Sequence, residues 1–462
     1  MLKTAIINLT SQAFNTIKRF PLSTLCSLLF CSIALTIVYN NYNLFLEDSY
    51  YLQLIKILFF GFFWFTALKL FVECHKWNYL KHYTLGLIVF AVIATLNATP
   101  LVSTSFFYMS AALFLMVFLA PFLKRNSTSS EFWEFNYKLC LHLALAVITA
   151  IILFCGVSAI LLAITYFFNI KFDSDIYVYL WLIVATLFAP LLALALLPKH
   201  FDKLSKNYPK YLETLLSYII IPLIFVFSAI IYIYIAKMVW VWELPKGGVA
   251  NIITIFGCTG MLVYFMSYPL HNSHSIIGIF HRNFFKIMLA PLALLIVAIS
   301  YRIKQYGITE ERYTILLWLT WFILSMIFAF TLSATRTARL ICLSLISLLL
   351  LGSYGPWSAT NVSLASQLNR LESALTKNGI LVDGQIVAKG RDLNDKEIKE
   401  IASMLSYIYQ SKGISMLKPW FSNMPNAEVY KKPDYFTVEL ILSDMGLSKS
   451  DPSTLPSKPV VE

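Results

Sequence analysis

The densest group of chemically capable side chains in the sequence is YRIKQYGITEERY, from Tyr301 to Tyr313. Arg302, Lys304 and Arg312 supply cations, Glu310 and Glu311 supply carboxylates, and Gln305 and Tyr306 supply neutral hydrogen-bonding groups. The planar forks of Arg302 and Arg312 suit a phosphate or a carboxylate, and Glu310 suits a partner or a base. The same residues also suit a plain interfacial connector. The tyrosines then sit at headgroup depth, Gly307 turns the chain, and Thr309 caps the next helix with Arg312 at its third position. Ligand binding and docking of a C-terminal domain both stay open. The candidates for either are Arg302, Lys304, Gln305, Tyr306, Glu310 and Arg312. No catalytic residue, metal ligand or cofactor is assigned.

Other chemistry-bearing residues carry less. His271, His274 and His281 share one stretch, HNSHSIIGIFH, without an acid near in sequence to complete a metal site. The remaining histidines, His75, His82, His142 and His200, fall on the same expected inner side or in a span near it. Cys26, Cys31, Cys74, Cys140, Cys155, Cys258 and Cys342 all lie in or beside apolar runs and form no CxxC pair. They read as small buried hydrophobes. The expected outer face holds no His and no Cys, which argues against a Ser-His, Cys-His or His-zinc enzyme there. No acid falls at mid-span, which weakens a proton-coupled carrier. No phosphate-binding loop, nucleophile elbow or dinucleotide fingerprint stands in a useful place.

The elements that must position these residues are membrane spans. The chain has 462 residues, 58% hydrophobic and 13% charged, with mean hydropathy +0.71. A soluble domain carries about 25% charged residues. Apolar runs recur at Pro21–Val38, Leu52–Val72, Thr84–Leu96, Ser105–Phe122, Leu139–Phe168 and Tyr177–Leu197. They continue at Leu215–Ile235, Val249–Tyr268, Phe284–Ser300, Tyr313–Ala334 and Leu340–Tyr354. This predicts an all-α polytopic membrane protein of about 11 transmembrane helices, with a range of 10–12. The third run is short and the fifth long. Pro190, Pro222 and Pro291 fall inside spans, where kinks are expected.

Net charge is +12. From Trp357 onward there are twelve Lys/Arg and twelve Asp/Glu, so the whole excess lies in residues 1–356. It marks topology and makes nucleic acid an unexpected partner. With the N-terminus inside, sixteen basic residues fall on the inner side and six on the outer, leaving out Lys56 and Lys69 near span ends. Eleven spans then place the C-terminal part outside. Expected partners are membrane lipids, including anionic headgroups, and an envelope protein.

Residues 1–20 are expected to form a cytoplasmic interfacial segment, 21–356 the helical bundle, 357–445 a small extracytoplasmic α+β domain, and 446–462 a disordered tail. In the C-terminal domain, Leu364, Leu368, Leu371 and Leu375 mark one helical stripe, in a helix started by Ser358 or Thr360. Asp383-Gly384 within ILVDGQIV predicts a type I′ hairpin. Asn394 and Glu397 predict a capping box, stapled by Leu393 and Ile398. Ile398, Ile401, Leu405 and Ile408 carry that helix's apolar face. FTVELIL, Phe436–Leu442, predicts a strand by alternation.

RIKQYGITEERY after a Pro-containing span, YPL one span earlier, and GPWSATNVSLASQLNRL leading to GILVDGQIV resemble a family of bacterial inner-membrane proteins. Its label is only "domain of unknown function four-one-five-three", and the resemblance is strongest over roughly 250 to 415. It implies a multispan bundle in the bacterial inner (cytoplasmic) membrane with an extracytoplasmic C-terminal part. It implies no activity. The expected function is a non-enzymatic envelope sensor, scaffold or assembly component. The alternatives are a carrier for an anionic or amphiphilic envelope component and a membrane transferase acting on a lipid-linked substrate.

Overall fold

The computed structural model describes residues 11, 14–40, 50–75, 79–96, 103–123, 129–170, 172–198, 208–242, 248–332, 334–387, 393–411, 416–421, 438, 441, 442, 445 and 447. Among these, ten helices are long and apolar enough to cross a membrane. The protein is an all-helical polytopic membrane protein.

The helices are α1 Pro21–Tyr39, α2 Tyr50–His75, α3 Tyr79–Leu96, α4 Thr104–Leu119 and α5 Ser129–Phe168. There follow α6 Asp175–Leu196, α7 Lys210–Val241, α8 Val249–Ser267, α9 Ile276–Tyr306, α10 Glu310–Thr331 and α11 Ala334–Ser353. Ten of them qualify as spans; α3 is the shorter apolar helix, with Tyr83–Ala94 as its apolar stretch.

Two of the prolines within spans follow π-helical segments. Residues Val184–Phe188 of α6 and Leu216–Ile220 of α7 are π-helical, each just ahead of its proline, Pro190 and Pro222. Proline lacks an N–H, so it leaves the carbonyl four residues earlier without its helical donor. For Pro190 that carbonyl is Thr186, and the Ser27 hydroxyl of α1 donates to it at 2.5 Å.

The chain divides into two compact units. The first holds Met1–Phe227, Thr259–Ile287 and Trp321–Ser353; the second holds Ser228–Cys258, Met288–Thr320 and Tyr354–Glu462. In the first, Arg19 ties three helix ends together. It pairs with Glu73 at 2.9 Å and donates to the carbonyls of Leu197 (2.9 Å) and Pro198 (2.8 Å), the two residues directly after α6. A helix end leaves four carbonyls unsatisfied, and a guanidinium is suited to collecting them.

In the second unit, Tyr354 onward forms a small folded core. Helix α12, Ala359–Lys377, starts at an N-cap where the Asn361 N–H donates to Ser358 Oγ. The strands β1 (Leu381–Val382) and β2 (Gln385–Ile386) pair antiparallel across Asp383 and Gly384. Both turn residues have positive φ, 50° and 75°, as a type I′ turn requires. Helix α13, Asp395–Gln410, opens with the Asn394/Glu397 capping box. Leu364, Leu371 and Leu375 of α12 pack with Ile401, Leu405 and Ile408 of α13, with Leu368 at the margin. The leucine stripe and the hairpin follow the sequence pattern.

The last predicted strand is helical at each of its described residues, Val438, Ile441 and Leu442 of FTVELIL. The run satisfies two periods at once: alternation through Phe436, Val438, Leu440 and Leu442, and helical spacing through Val438, Ile441, Leu442 and Met445. Burial follows the second. Ile441, Leu442 and Met445 are in the core with Val438 against it, and the Met445 N–H donates to the Ile441 carbonyl at 3.0 Å. Strand content among the described residues is therefore the two-residue hairpin alone. The expected tail at 446–462 lies outside the described residues except Leu447, which is buried. The cysteines are all free; Cys26 and Cys31 are buried as expected, but Cys140 and Cys155 are exposed on α5.

Candidate functional site

The charged stretch is mostly helix. Arg302, Lys304, Gln305 and Tyr306 are the last residues of α9, Glu310 to Tyr313 are the first turn of α10, and only Gly307, Ile308 and Thr309 link them. Arg302 and Lys304 thus sit at a helix C-terminus and Glu310 and Glu311 at a helix N-terminus, the favourable sense for both dipoles, with Arg312 the exception in the first turn of α10. Gly307 ends α9 in the left-handed region at φ 69°, its N–H donating to the Ile303 carbonyl at 2.8 Å. That is an αL cap, a conformation other residues adopt at a cost of roughly 1–2 kcal/mol.

The exposed carbonyls of this cap are taken by three side chains. The Tyr306 carbonyl accepts from Arg370 Nη1 at 2.6 Å, Gln367 Nε2 at 3.0 Å and Arg312 Nη1 at 3.2 Å. Each donor also reaches a neighbouring carbonyl. Arg312 Nη1 donates to Gly307 (2.9 Å), Gln367 Nε2 to Ile308 (3.0 Å), and Arg370 Nη2 to Gln305 (3.2 Å). The Ile308 N–H donates to Ser366 Oγ at 2.9 Å. Four consecutive carbonyls, from Gln305 to Ile308, are therefore satisfied through two residues of α12 and one of α10. Arg370 is itself anchored by Glu400 of α13 at 2.6 Å.

The α10 end is held in the same way. The Thr360 hydroxyl of α12 donates to Glu310 Oε1 at 2.6 Å, and the Glu310 N–H donates to the Tyr407 hydroxyl of α13 at 3.3 Å. Burial, and then the Glu310 charge, push the Tyr407 hydroxyl above its usual range, so it stays protonated at neutral pH. The Tyr313 hydroxyl donates to the Trp357 carbonyl at 2.7 Å. Two guanidinium groups flank the Tyr306 ring, Arg302 at 5.7 Å and Arg312 at 5.3 Å from its centre.

The candidates from the sequence thus come together, with distinct parts. Arg312 and the backbone of Gln305 and Tyr306 belong to the cap. Glu310 faces α12 and α13, Arg302 stacks on Tyr306, and Lys304 is exposed. Thr360, read from the sequence as a possible start of α12, holds Glu310 instead, the cap being Ser358; the residues missed by sequence reasoning are Ser366, Gln367, Arg370, Glu400 and Tyr407. Their signal was present: Thr360, Ser363, Gln367 and Arg370 recur at +3, +4, +3, one polar stripe beside the leucines. Ser363 and Gln367 are 0% and 3% exposed, and a solvent-facing stripe would not be buried so deeply.

The histidine stretch serves packing within the first unit. His281 stacks on Tyr264 with ring centres 4.0 Å apart, and its Nδ1 lies 3.0 Å from Ser267 Oγ. His271 Nδ1 bonds the Tyr268 carbonyl at 2.9 Å. Among the described residues, no group of three or more His, Cys, Asp or Glu side chains could hold a metal ion.

Fold and site together define a multispan helical membrane protein whose C-terminal helices cap the end of one of its long helices. The chain belongs to the family described as Domain of unknown function (DUF4153), whose model matches residues 24–383. The match begins in α1, far ahead of the stretch that carries the resemblance in the sequence, and stops in the hairpin turn. It is also similar to an uncharacterized protein, PM1469, of Pasteurella multocida (strain Pm70), with 31% identity over 252 residues. That alignment covers 54% of this chain and 42% of the relative, so the chain spans less than half of that protein's length. No solved structure matches the chain.

Gly307→Ala is expected to loosen the cap. The residue needs positive φ, and an added Cβ would lie 2.5 Å from Arg370 Cδ and 3.0 Å from Gln367 Nε2. A loss of about 1–2 kcal/mol follows from the backbone alone. Hydrogen exchange at the Ile308 amide should speed up by about tenfold; unchanged exchange refutes this role for Gly307.

Proposed function

We propose that the protein is a non-enzymatic envelope component of the bacterial inner membrane. In this reading its C-terminal helices face outward and act as one mechanical piece with the ends of α9 and α10. The carrying observation is the cap: α12 and α13 bond the backbone of the charged stretch and its Glu310 side chain. A ligand site or catalytic centre keeps its charged groups for the ligand or the reaction. Here Arg370, Gln367, Thr360 and Tyr407 spend theirs on backbone and on Glu310. An element fixed so directly to a span end passes a load or an orientation change across the membrane boundary, which suits a sensor or scaffold.

Orientation rests on charge. Suppose α3 crosses the membrane; then sixteen basic link residues lie on the N-terminal side and six on the other. Suppose it does not; then the same residues divide eleven and eleven. The positive-inside bias exists only with α3 as a span. Its eighteen residues measure about 27 Å, close to the ~30 Å hydrocarbon thickness. Eleven crossings with a cytoplasmic N-terminus put α12 and α13 outside.

Two experiments test these statements. A reporter fused after Glu462 should be active only in its extracytoplasmic form, and cytoplasmic activity alone refutes the orientation. A Gln367→Ala/Arg370→Ala double variant should accumulate in the membrane yet fail to restore the envelope phenotype of a deletion strain. Full restoration contradicts the coupling role.

A further inference from the structure

We infer that Arg282 and Lys286, on one exposed face near the start of α9, bind the headgroup phosphate of an anionic phospholipid. The inference concerns the first unit and uses nothing of the cap at Gly307.

The two cations lie four residues apart on α9, and both are exposed. Residues at that spacing are neighbours on one helix face. Helical side chains lean toward the N-terminus, and Lys286 does so. Its Nζ lies 3.5 Å from Asn283 Oδ1, back toward Arg282. Ile279, three residues before Arg282 on the same face, is 46% exposed.

Arg282 is fixed along one edge. Its Nη1 donates to the His271 and Ser273 carbonyls, each at 3.1 Å. That loop is itself held. The Ser273 hydroxyl donates to the Leu270 carbonyl at 2.7 Å, and the Ser273 carbonyl packs so closely on Gly278 that an added Cβ would collide with it. A guanidinium carries five N–H donors and an ammonium three. Those on Nε and Nη2 of Arg282 meet no protein acceptor among the described residues, and Lys286 meets only Asn283. A fork held by two carbonyls has already lost much of its rotamer freedom, so an anion at its open edge has less ordering to oppose it.

The charge balance favours an anion. Like charges four apart on a helix repel, and among the described residues neither cation has an acid within ion-pair distance. A phosphate presents several oxygens and can accept from both. The position favours a lipid as its carrier. The apolar run Phe284–Ser300 begins two residues after Arg282. Arg282 therefore stands at the edge of the run, and the aliphatic stem of Lys286 lies along it with the charge reaching back. Cations at such a boundary attract anionic lipids.

The test uses the full-length protein in a neutral detergent, with dioctanoyl phosphatidylglycerol, dioctanoyl phosphatidylcholine and inorganic phosphate as probes. Saturable binding of phosphatidylglycerol is expected, weakened about tenfold by Lys286→Gln and restored by Lys286→Arg, the scale of one lost charge-assisted hydrogen bond. Lys286→Gln leaves the bonds from Arg282 to the loop in place, so weakened binding is not a failure to fold. Lys304→Gln removes an equal charge elsewhere on α9 and should leave binding unchanged. Binding should also weaken with added salt. Equal binding by wild type and Lys286→Gln, equal weakening by Lys304→Gln, or no saturable binding of phosphatidylglycerol overturns the site. Equal binding of phosphatidylcholine, or effective competition by millimolar inorganic phosphate, overturns an anionic lipid as its occupant.

Discussion

A long helix must satisfy the carbonyls at its end, and in this protein the means of doing so organises the described C-terminal helices around the end of α9. Hydrogen bonds to charged donors are worth roughly 1.5–3 kcal/mol each, and an orphaned buried carbonyl costs a similar amount. The Gln305–Ile308 carbonyls could have been left to water or to a connector's own side chains. Instead they take Gln367 and Arg370 of α12, with Arg312 completing the set. Once those bonds exist, the position of α12 is fixed, and the leucine face of α12 fixes α13 and the hairpin around it. Glu400 closes the loop by anchoring Arg370 from α13.

The same device recurs in the first unit. Arg19 gathers the Leu197 and Pro198 carbonyls at the end of α6 while pairing with Glu73 of α2. An arginine is well matched to this duty, because one rigid fork reaches two carbonyls and a carboxylate at once. In both places the charged residue does architectural service, so charge alone does not point to a reaction.

Much of the fold was legible in the sequence for simple reasons. Spans follow from apolar length, the hairpin from Asp383-Gly384, and the start of α13 from Asn394 and Glu397, since each depends on neighbours in sequence. The FTVELIL segment was misassigned because its residues obey two periodicities, and only the core at Ile401, Leu405 and Ile408 decides between them. The site was legible by half. Arg302, Glu310 and Arg312 stood out as charges in an apolar chain. Their partners Ser366, Gln367 and Arg370 looked like an ordinary polar helix face, because capping joins residues some sixty positions apart and has no local signature. The boundaries of the charged stretch were blurred for a related reason: tyrosines and cations suit a helix end and a loop equally, and only Gly307 marked the break.

The central claim is that α12 is fastened to the α9–α10 turn in the membrane-embedded protein. The Ile308 N–H and Ser366 Oγ are 2.9 Å apart, so this pair measures that claim most directly. Cysteines placed at 308 and 366, in a chain whose seven native cysteines are replaced by serine, should cross-link rapidly in native membranes under mild oxidation. A control pair at 308 and 373, one on the turn and one farther along α12, should not. Absence of the 308–366 cross-link, or equal cross-linking of both pairs, would contradict the account.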